Sequence, residues 1–150
     1  MRREALEAAE RLHGLHLVCR GRVSREAYVR ELFSSKICFS PFGYGEVCWR
    51  DYEAVLCGAL LVKPDMAHIE TCPDIFRPFE TYVPVRWDLA DLEEKILYYL
   101  SHSEQSIAIA GRARALMSNY ITGEGFLEQM APMFRQMAQP ASSPFTLSLQ

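Results

Sequence analysis

Short apolar runs alternate along this chain with segments of helical spacing, and that alternation limits the possible folds more than any other feature. The runs are LHLVC at 15–19, broken only by His16, ICFS at 37–40, ALLV at 59–62 and TYVPV at 81–85. None shows the strict apolar–polar alternation of a half-exposed strand, so each is expected to be covered on both faces. The helices lie between and after them. Leu6, Ala9 and Leu12 fall on one side of 4–12, and Gly14 ends that segment. Ser24, with Glu26 behind it, opens a second helix whose inward stripe is Ala27, Tyr28, Leu32 and Phe33. A third spans 47–56 and closes at Gly58, where a C-terminal cap belongs. Asp88 and Asp91 start a fourth, with Leu89, Leu92, Ile96 and Leu100 facing inward. Two more cover 103–120 and 122–137. Phe126, Met130, Met133, Phe134 and Met137 share one face of the last and are expected to be core. This order predicts an α/β, Rossmann-like three-layer domain with a small parallel sheet and extra C-terminal helices.

At 150 residues, 49% hydrophobic and 23% charged, the chain can build one proper core. The domain is expected over 1–138, with a disordered tail at 139–150. A formal net charge of −3 speaks against nucleic acid as the main partner, because phosphate contacts draw on a basic excess. The longest apolar run, 54–62, is about half a bilayer span, so no transmembrane segment is expected. MRREALEAAERL lacks the apolar stretch and cleavage site of a signal peptide, and the location is read as cytoplasmic. Five cysteines without a CxxC pair predict free, buried thiols in a reducing compartment. The four histidines stand without ligand spacing, and no metal is implied.

In open parallel sheets, ligands bind at the carboxyl ends of the strands. Three loops form that edge here: 20–23, 41–47 and 63–68. The middle one, PFGYGEV, leaves a strand and enters a helix. Gly43 and Gly45 are expected to serve a backbone geometry that only glycine tolerates, and to let the chain approach a ligand closely. The helix N-terminus behind them offers unpaired N–H groups and partial positive charge to an anion. Arg50 falls in or near the first turn, where the helix dipole opposes a cation by up to about 1 kcal/mol. A bound diphosphate would account for that placement. Glu53, three residues on, shares its face, and a carboxylate can accept bonds from two vicinal ribose hydroxyls. The same spacing also allows Arg50 simply to pair with Glu46 and Glu53. Asp65 and His68 sit on the neighbouring loop, within reach of such a ligand, although His68 equally suits a surface histidine.

The stretch SPFGYGEVCWRDYEAVLCGALLVKP resembles the donor-binding motif in the C-terminal half of GT-B glycosyltransferases. It is most similar to the group-1-like branch, whose motif reads R-x-[FY]-E-A-x-x-x-G-x-L-L. Gly21-Arg22-Val23 followed by SREAYVRELFSSKICFSP resembles the run that precedes the motif, and ETYVPVRWDLADLEEKILYYLSHSEQSIAIAGRARALM resembles the tail that follows it. The likeness covers roughly residues 10–137. It implies one half of a GT-B fold that binds a nucleotide-diphosphate sugar for transfer to an acceptor, as in polysaccharide biosynthesis, with no further cofactor. On that basis Glu53 would hold the ribose and Arg50 would face phosphate or sugar. The loop of Gly43, Tyr44, Gly45 and Glu46 would wrap the sugar, and Arg22 would sit near base or phosphate. Two features depart from the pattern. Counting back from Glu53 reaches Gly45 where the branch carries its first acid, with Glu46 one place off, and no acceptor-binding half is present. An acceptor-binding partner domain, or a second copy, is therefore expected.

Two other readings compete. Gly43-Tyr44-Gly45 with Asp65 twenty residues on loosely fits an NAD(P) fingerprint, although Cys48 stands at its third small position. A non-catalytic nucleotide-binding or interaction domain would instead use apolar surface exposed around Phe42, Tyr44 and Trp49.

Overall fold

The computed structural model of the chain describes residues 2–12, 15–16 and 23–138. Helix α1 (Arg2–Glu10) comes first, then α2 (Arg25–Ser34), strand β1 (Ile37–Phe39), α3 (Trp49–Cys57), β2 (Leu60–Pro64) and β3 (Val83–Val85). Three helices follow: α4 (Leu92–Ser101), α5 (Ser103–Thr122) and α6 (Gly125–Ala138). The strands form one parallel sheet in the order β1-β2-β3, with Cys38 beside Leu61 and Val62 beside Val83. Most of the expected strand at 15–19, and the proposed tail at 139–150, lie outside the described residues.

Successive side chains of β2 go to opposite faces, and each face meets its own helices. Leu61 joins Cys38, Leu32, Ala54, Val55, Ala113 and Met117 in a core under α2, α3 and the C-terminal half of α5. Leu60 and Val62 join Val83, Val85, Leu92, Ile96, Tyr99 and Leu12 in a second core under α1 and α4. Three layers result. All five residues of β2 are buried, as an apolar run covered on both faces requires.

The cap of α2 is where the sequence puts it. Ser24 Oγ accepts the Ala27 N–H at 3.2 Å. The fourth helix begins later than expected, because Asp91 accepts the Arg86 N–H at 2.8 Å and pairs with Lys95 at 2.8 Å. Leu89 therefore precedes the helix, and Tyr99 rather than Leu100 is fully buried.

Three expectations need correction. The face of α6 with Phe126, Met133, Phe134 and Met137 is exposed, and α6 buries no residue. The helix folds back along α5, touching it through the Phe126 and Tyr120 rings 6.0 Å apart, and one neighbour cannot cover so broad a stripe. Phe33 is likewise exposed. The described thiols are free, but only Cys38 is buried. Cys48 and Cys57 are half-buried and Cys72 is exposed.

Gly58 closes α3 with φ of 82°, in the left-handed region that glycine tolerates. Its N–H reaches the Val55 carbonyl at 3.1 Å and the Ala59 N–H reaches that of Ala54 at 3.0 Å, the two bonds of a Schellman cap. A Cβ there would meet nothing closer than Arg114 at 3.8 Å, so the penalty is conformational. Gly58→Ala is expected to cost about 1 kcal/mol in urea unfolding, by its unfavourable φ alone.

Candidate functional site

The carboxyl ends of β1 and β2 meet over an ion pair. Lys63 goes to the same face of β2 as Leu61, and its Nζ lies 3.1 Å from Asp51 Oδ2 and 3.2 Å from Oδ1. It also donates to the Ser40 carbonyl at 3.3 Å, and both charged side chains are fully inaccessible. The rings of Phe42 and Phe76 stand 5.2 and 6.0 Å from the ammonium. Desolvating either charge alone would cost several kcal/mol, and the mutual contact is what makes burial tolerable. Asp51 also accepts the Cys48 N–H at 2.9 Å, holding the entry to α3. The Cys48 thiol fills the gap between Ser40 Oγ (3.3 Å) and Asp51 Oδ1 (3.4 Å).

Above this floor the loops after the three strands are tied together. Glu46 Oε1 meets His68 Nε2 at 2.9 Å, joining the glycine loop to the one after β2. The His68 and Phe42 rings both pack edgewise on Trp87, at 5.1 and 5.7 Å. Trp87 in turn donates its indole N–H to the Asp65 carbonyl at 3.0 Å. Asp65 Oδ1 accepts the Tyr82 hydroxyl at 3.3 Å, which also takes the Met66 N–H at 3.0 Å. Burial pushes the Tyr82 phenol up to about 12, so it stays a neutral donor here.

The glycine loop forms one wall of a hollow of about 280 Å³, between Tyr44 and Gly45 on one side and Trp49 and Arg50 on the other. Neither Gly43 nor Gly45 has a positive φ, contrary to expectation, and the turn is closed by an ordinary bond from the Gly43 N–H to the Gly45 carbonyl at 3.1 Å. A Cβ at Gly43 would meet nothing within 4 Å and one at Gly45 only the Val47 carbonyl at 3.7 Å. What the glycines provide is open space. Tyr44 and Trp49 are exposed at the rim, but Phe42 is buried over Lys63 and belongs to the core, not to an exposed apolar surface.

Of the residues singled out by sequence, Arg50 lines this hollow from the first turn of α3. Neither acid within its reach along the helix is bonded to it, since Glu46 is held by His68 and Glu53 by Tyr28. Tyr28 donates its hydroxyl to Glu53 Oε2 at 2.8 Å. Burial, then the Glu53 bond, push the Tyr28 phenol well above its ordinary range, while the nearby Arg50 charge pulls it down. Burial likewise pushes the Cys38 thiol up to about 12 against the pull of Arg50. Arg50, Tyr28 and Glu53 thus share one electrostatic neighbourhood. Arg22 lies outside the described residues.

The local charge favours an anion. Lys63 cancels Asp51, which alone would oppose one at this helix end, and among the described residues no side chain is bonded to the Arg50 guanidinium beside the α3 N-terminus. Among the described residues, the Trp49 and Arg50 amides have no acceptor. A larger hollow of about 390 Å³ between α1 and α4 is ringed by Glu4, Glu7, Asp88 and Glu93 with Arg11, a charge that repels a diphosphate. Among the described residues no group of three His, Cys, Asp or Glu is placed to hold a metal, and no helix is long and apolar enough to cross a membrane.

A family model described as glycosyl transferase-like matches residues 2–131. The chain belongs to the glycosyl transferase-like family. No curated protein matches it. The glycosyl transferase-like assignment agrees with the parallel sheet and its two helical layers, which are the architecture of one half of a GT-B fold.

Sequence reasoning missed Lys63, Asp51 and the role of Tyr28. Lys63 carried a readable signal: a lysine inside LLVKP, a strand expected to be covered on both faces, must find a buried partner. Tyr28 looked like stripe packing, and nothing in spacing links it to a residue 25 positions away.

Lys63→Met leaves Asp51 buried and uncompensated, and is expected to lose about 3–5 kcal/mol in urea unfolding. Adding Asp51→Asn removes the second charge but keeps an acceptor for the Cys48 N–H. That double variant should recover most of the loss; recovery of none of it would show that the pair does not act as a unit.

Proposed function

We propose that this glycosyl transferase-like chain is a donor-binding domain that holds a nucleotide-diphosphate sugar for glycosyl transfer to an acceptor. The observation that carries this is the unpaired Arg50 at the open N-terminus of α3, lining the hollow while the neighbouring acids are engaged elsewhere. In this reading the diphosphate lies against the Trp49 and Arg50 amides and the Arg50 guanidinium. Glu53, one turn further on, takes the ribose hydroxyls. The open loop of Gly43, Tyr44, Gly45 and Glu46 runs alongside the sugar, with Glu46 fixed by His68 and not free to turn toward it. Charge accumulating on the leaving diphosphate would be stabilised by donors already in place, which is the economical way to lower such a barrier. Acceptor and base belong to a second surface, from another domain or another copy. A non-catalytic role in binding is favoured by one observation, the exposure of Tyr44 and Trp49, and is separated from the first by whether any acceptor is glycosylated. Nothing beyond the spacing of Gly43, Gly45 and Asp65 favours a dinucleotide, and the Cys48 thiol at the third small position is bonded to Ser40 and Asp51.

UDP, GDP and their sugars give a direct test by thermal shift. At a hundredfold excess over Kd the matching nucleotide should add about 2.7 kcal/mol of stability, roughly 5–10 °C for a chain of this length. Glu53→Ala and Arg50→Ala should each remove most of that shift. A folded chain that responds to no nucleotide would refute the proposal. Gly43→Ala should leave unfolding free energy unchanged within about 0.5 kcal/mol, or raise it, yet weaken nucleotide-sugar binding severalfold, because the added methyl occupies the open side of the loop.

A further inference from the structure

The bond between Tyr28 and Glu53 joins α2 to α3 within range of the Arg50 charge, although neither residue lines the hollow itself. Tyr28 sits in the first turn and a half of α2, with its ring packed partly against the core of Leu32, Cys38 and Val55. Glu53 is in the middle of α3, half-buried, and among the described residues its second oxygen, Oε1, has no donor. A glutamate on a helix surface ordinarily samples several rotamers and spins about its last torsion. Here one oxygen is fixed at 2.8 Å by a phenol that cannot itself move far. A carboxylate has about four acceptor sites, so one bond from Tyr28 leaves enough for two vicinal hydroxyls.

We propose that Tyr28 is a positioning residue: by holding Glu53 Oε2 it orients the carboxylate toward the pentose, and so sets the preference of this site for ribonucleotides over deoxyribonucleotides. The inference rests on the donor-site reading above. Its physical basis is pre-organisation, since an acid already held in its binding rotamer gives up less freedom when the two hydroxyls arrive. Arg50, three residues before Glu53 on α3, is close enough for its charge to act on the Tyr28 phenol, so phosphate and pentose contacts would be linked through one short stretch of α3. A bond that served only to fasten α2 to α3 would add stability and nothing else.

The test is calorimetric titration of the chain with UDP and GDP and with their 2′-deoxy counterparts, for the wild type, Tyr28→Phe and Glu53→Ala. The wild type should prefer the ribonucleotide by about tenfold, the scale of a charge-assisted hydrogen bond to a buried hydroxyl. Tyr28→Phe keeps the ring and should cut that preference to about threefold or less, with affinity for the deoxy form within about twofold of wild type. Glu53→Ala should abolish the preference. A Tyr28→Phe chain that discriminates as well as wild type overturns the role of Tyr28 and leaves the donor site intact. A folded wild type that binds neither nucleotide, or that does not distinguish ribo from deoxy, overturns the reading of Glu53 and this inference with it. If Tyr28→Phe does not fold, a fluorinated tyrosine at position 28 strengthens the donated bond while keeping the hydroxyl. The preference must then change by at least about twofold, and an unchanged preference counts against the proposal.

Discussion

The buried contact between Lys63 and Asp51 is the constraint on which the rest of the site depends. It unites the end of β1, through the Ser40 carbonyl, the first turn of α3, through Asp51, and the end of β2, through Lys63 itself. These three pieces define the edge of the sheet where a parallel fold binds its ligand. Well-packed apolar residues could fill the same volume and are often no less stabilising. What an apolar replacement could not do is keep the Cys48 N–H bonded and α3 entering at this angle. The pair also settles the electrostatics of the helix end, because an acid at its third position would otherwise cancel much of the attraction the dipole offers to an anion.

A second regularity follows. Four acids on α3 and the neighbouring loops are engaged, by three kinds of partner: Asp51 by Lys63, Glu46 by His68, and Asp65 and Glu53 by the hydroxyls of Tyr82 and Tyr28. Arg50 alone keeps its charge available at the rim among these groups. The partners also differ in what they leave behind. A buried ammonium neutralises its acid outright, whereas a phenol occupies one oxygen and leaves the negative charge in place. Glu53 is therefore both oriented and still an acceptor, the combination that binding vicinal hydroxyls calls for.

Much of the fold was legible because its signals are local. The apolar runs at 37–40 and 59–62, the Ser24 cap, and Gly58 at the end of α3 each rest on a few neighbouring residues, and each appears where the sequence puts it. The signals that misled were those whose meaning depends on distant neighbours. The α6 stripe has the spacing of a core helix, but whether such a stripe is buried depends on how many elements pack against it. Gly43 and Gly45 looked like backbone requirements, whereas their φ values are ordinary and only the space beside them distinguishes them. The contacts of the candidate site divide along the same line. The offset of Arg50 and Glu53 within one helix is visible in the sequence, while Lys63–Asp51 and Tyr28–Glu53 join separate segments and have no periodicity to reveal them.

The size of the hollow bears on what it could hold. Pockets that enclose a small ligand usually occupy about 300–1,000 Å³ and cover most of its surface. A space of about 280 Å³ with exposed Tyr44 and Trp49 at its rim suits part of a nucleotide sugar, such as the diphosphate and its nearest ring. Electrostatic stabilisation of a leaving diphosphate weakens sharply in contact with bulk water, since the effective dielectric rises. On the proposed function the groups on α3 would bind the donor, and would stabilise its leaving charge strongly only if a second surface closed over them. Such a closure would also cover the two exposed rim aromatics, Tyr44 and Trp49. On the proposed function binding strength and transfer rate would therefore separate, the first set by α3 and its buried ion pair, the second by whatever surface covered the hollow.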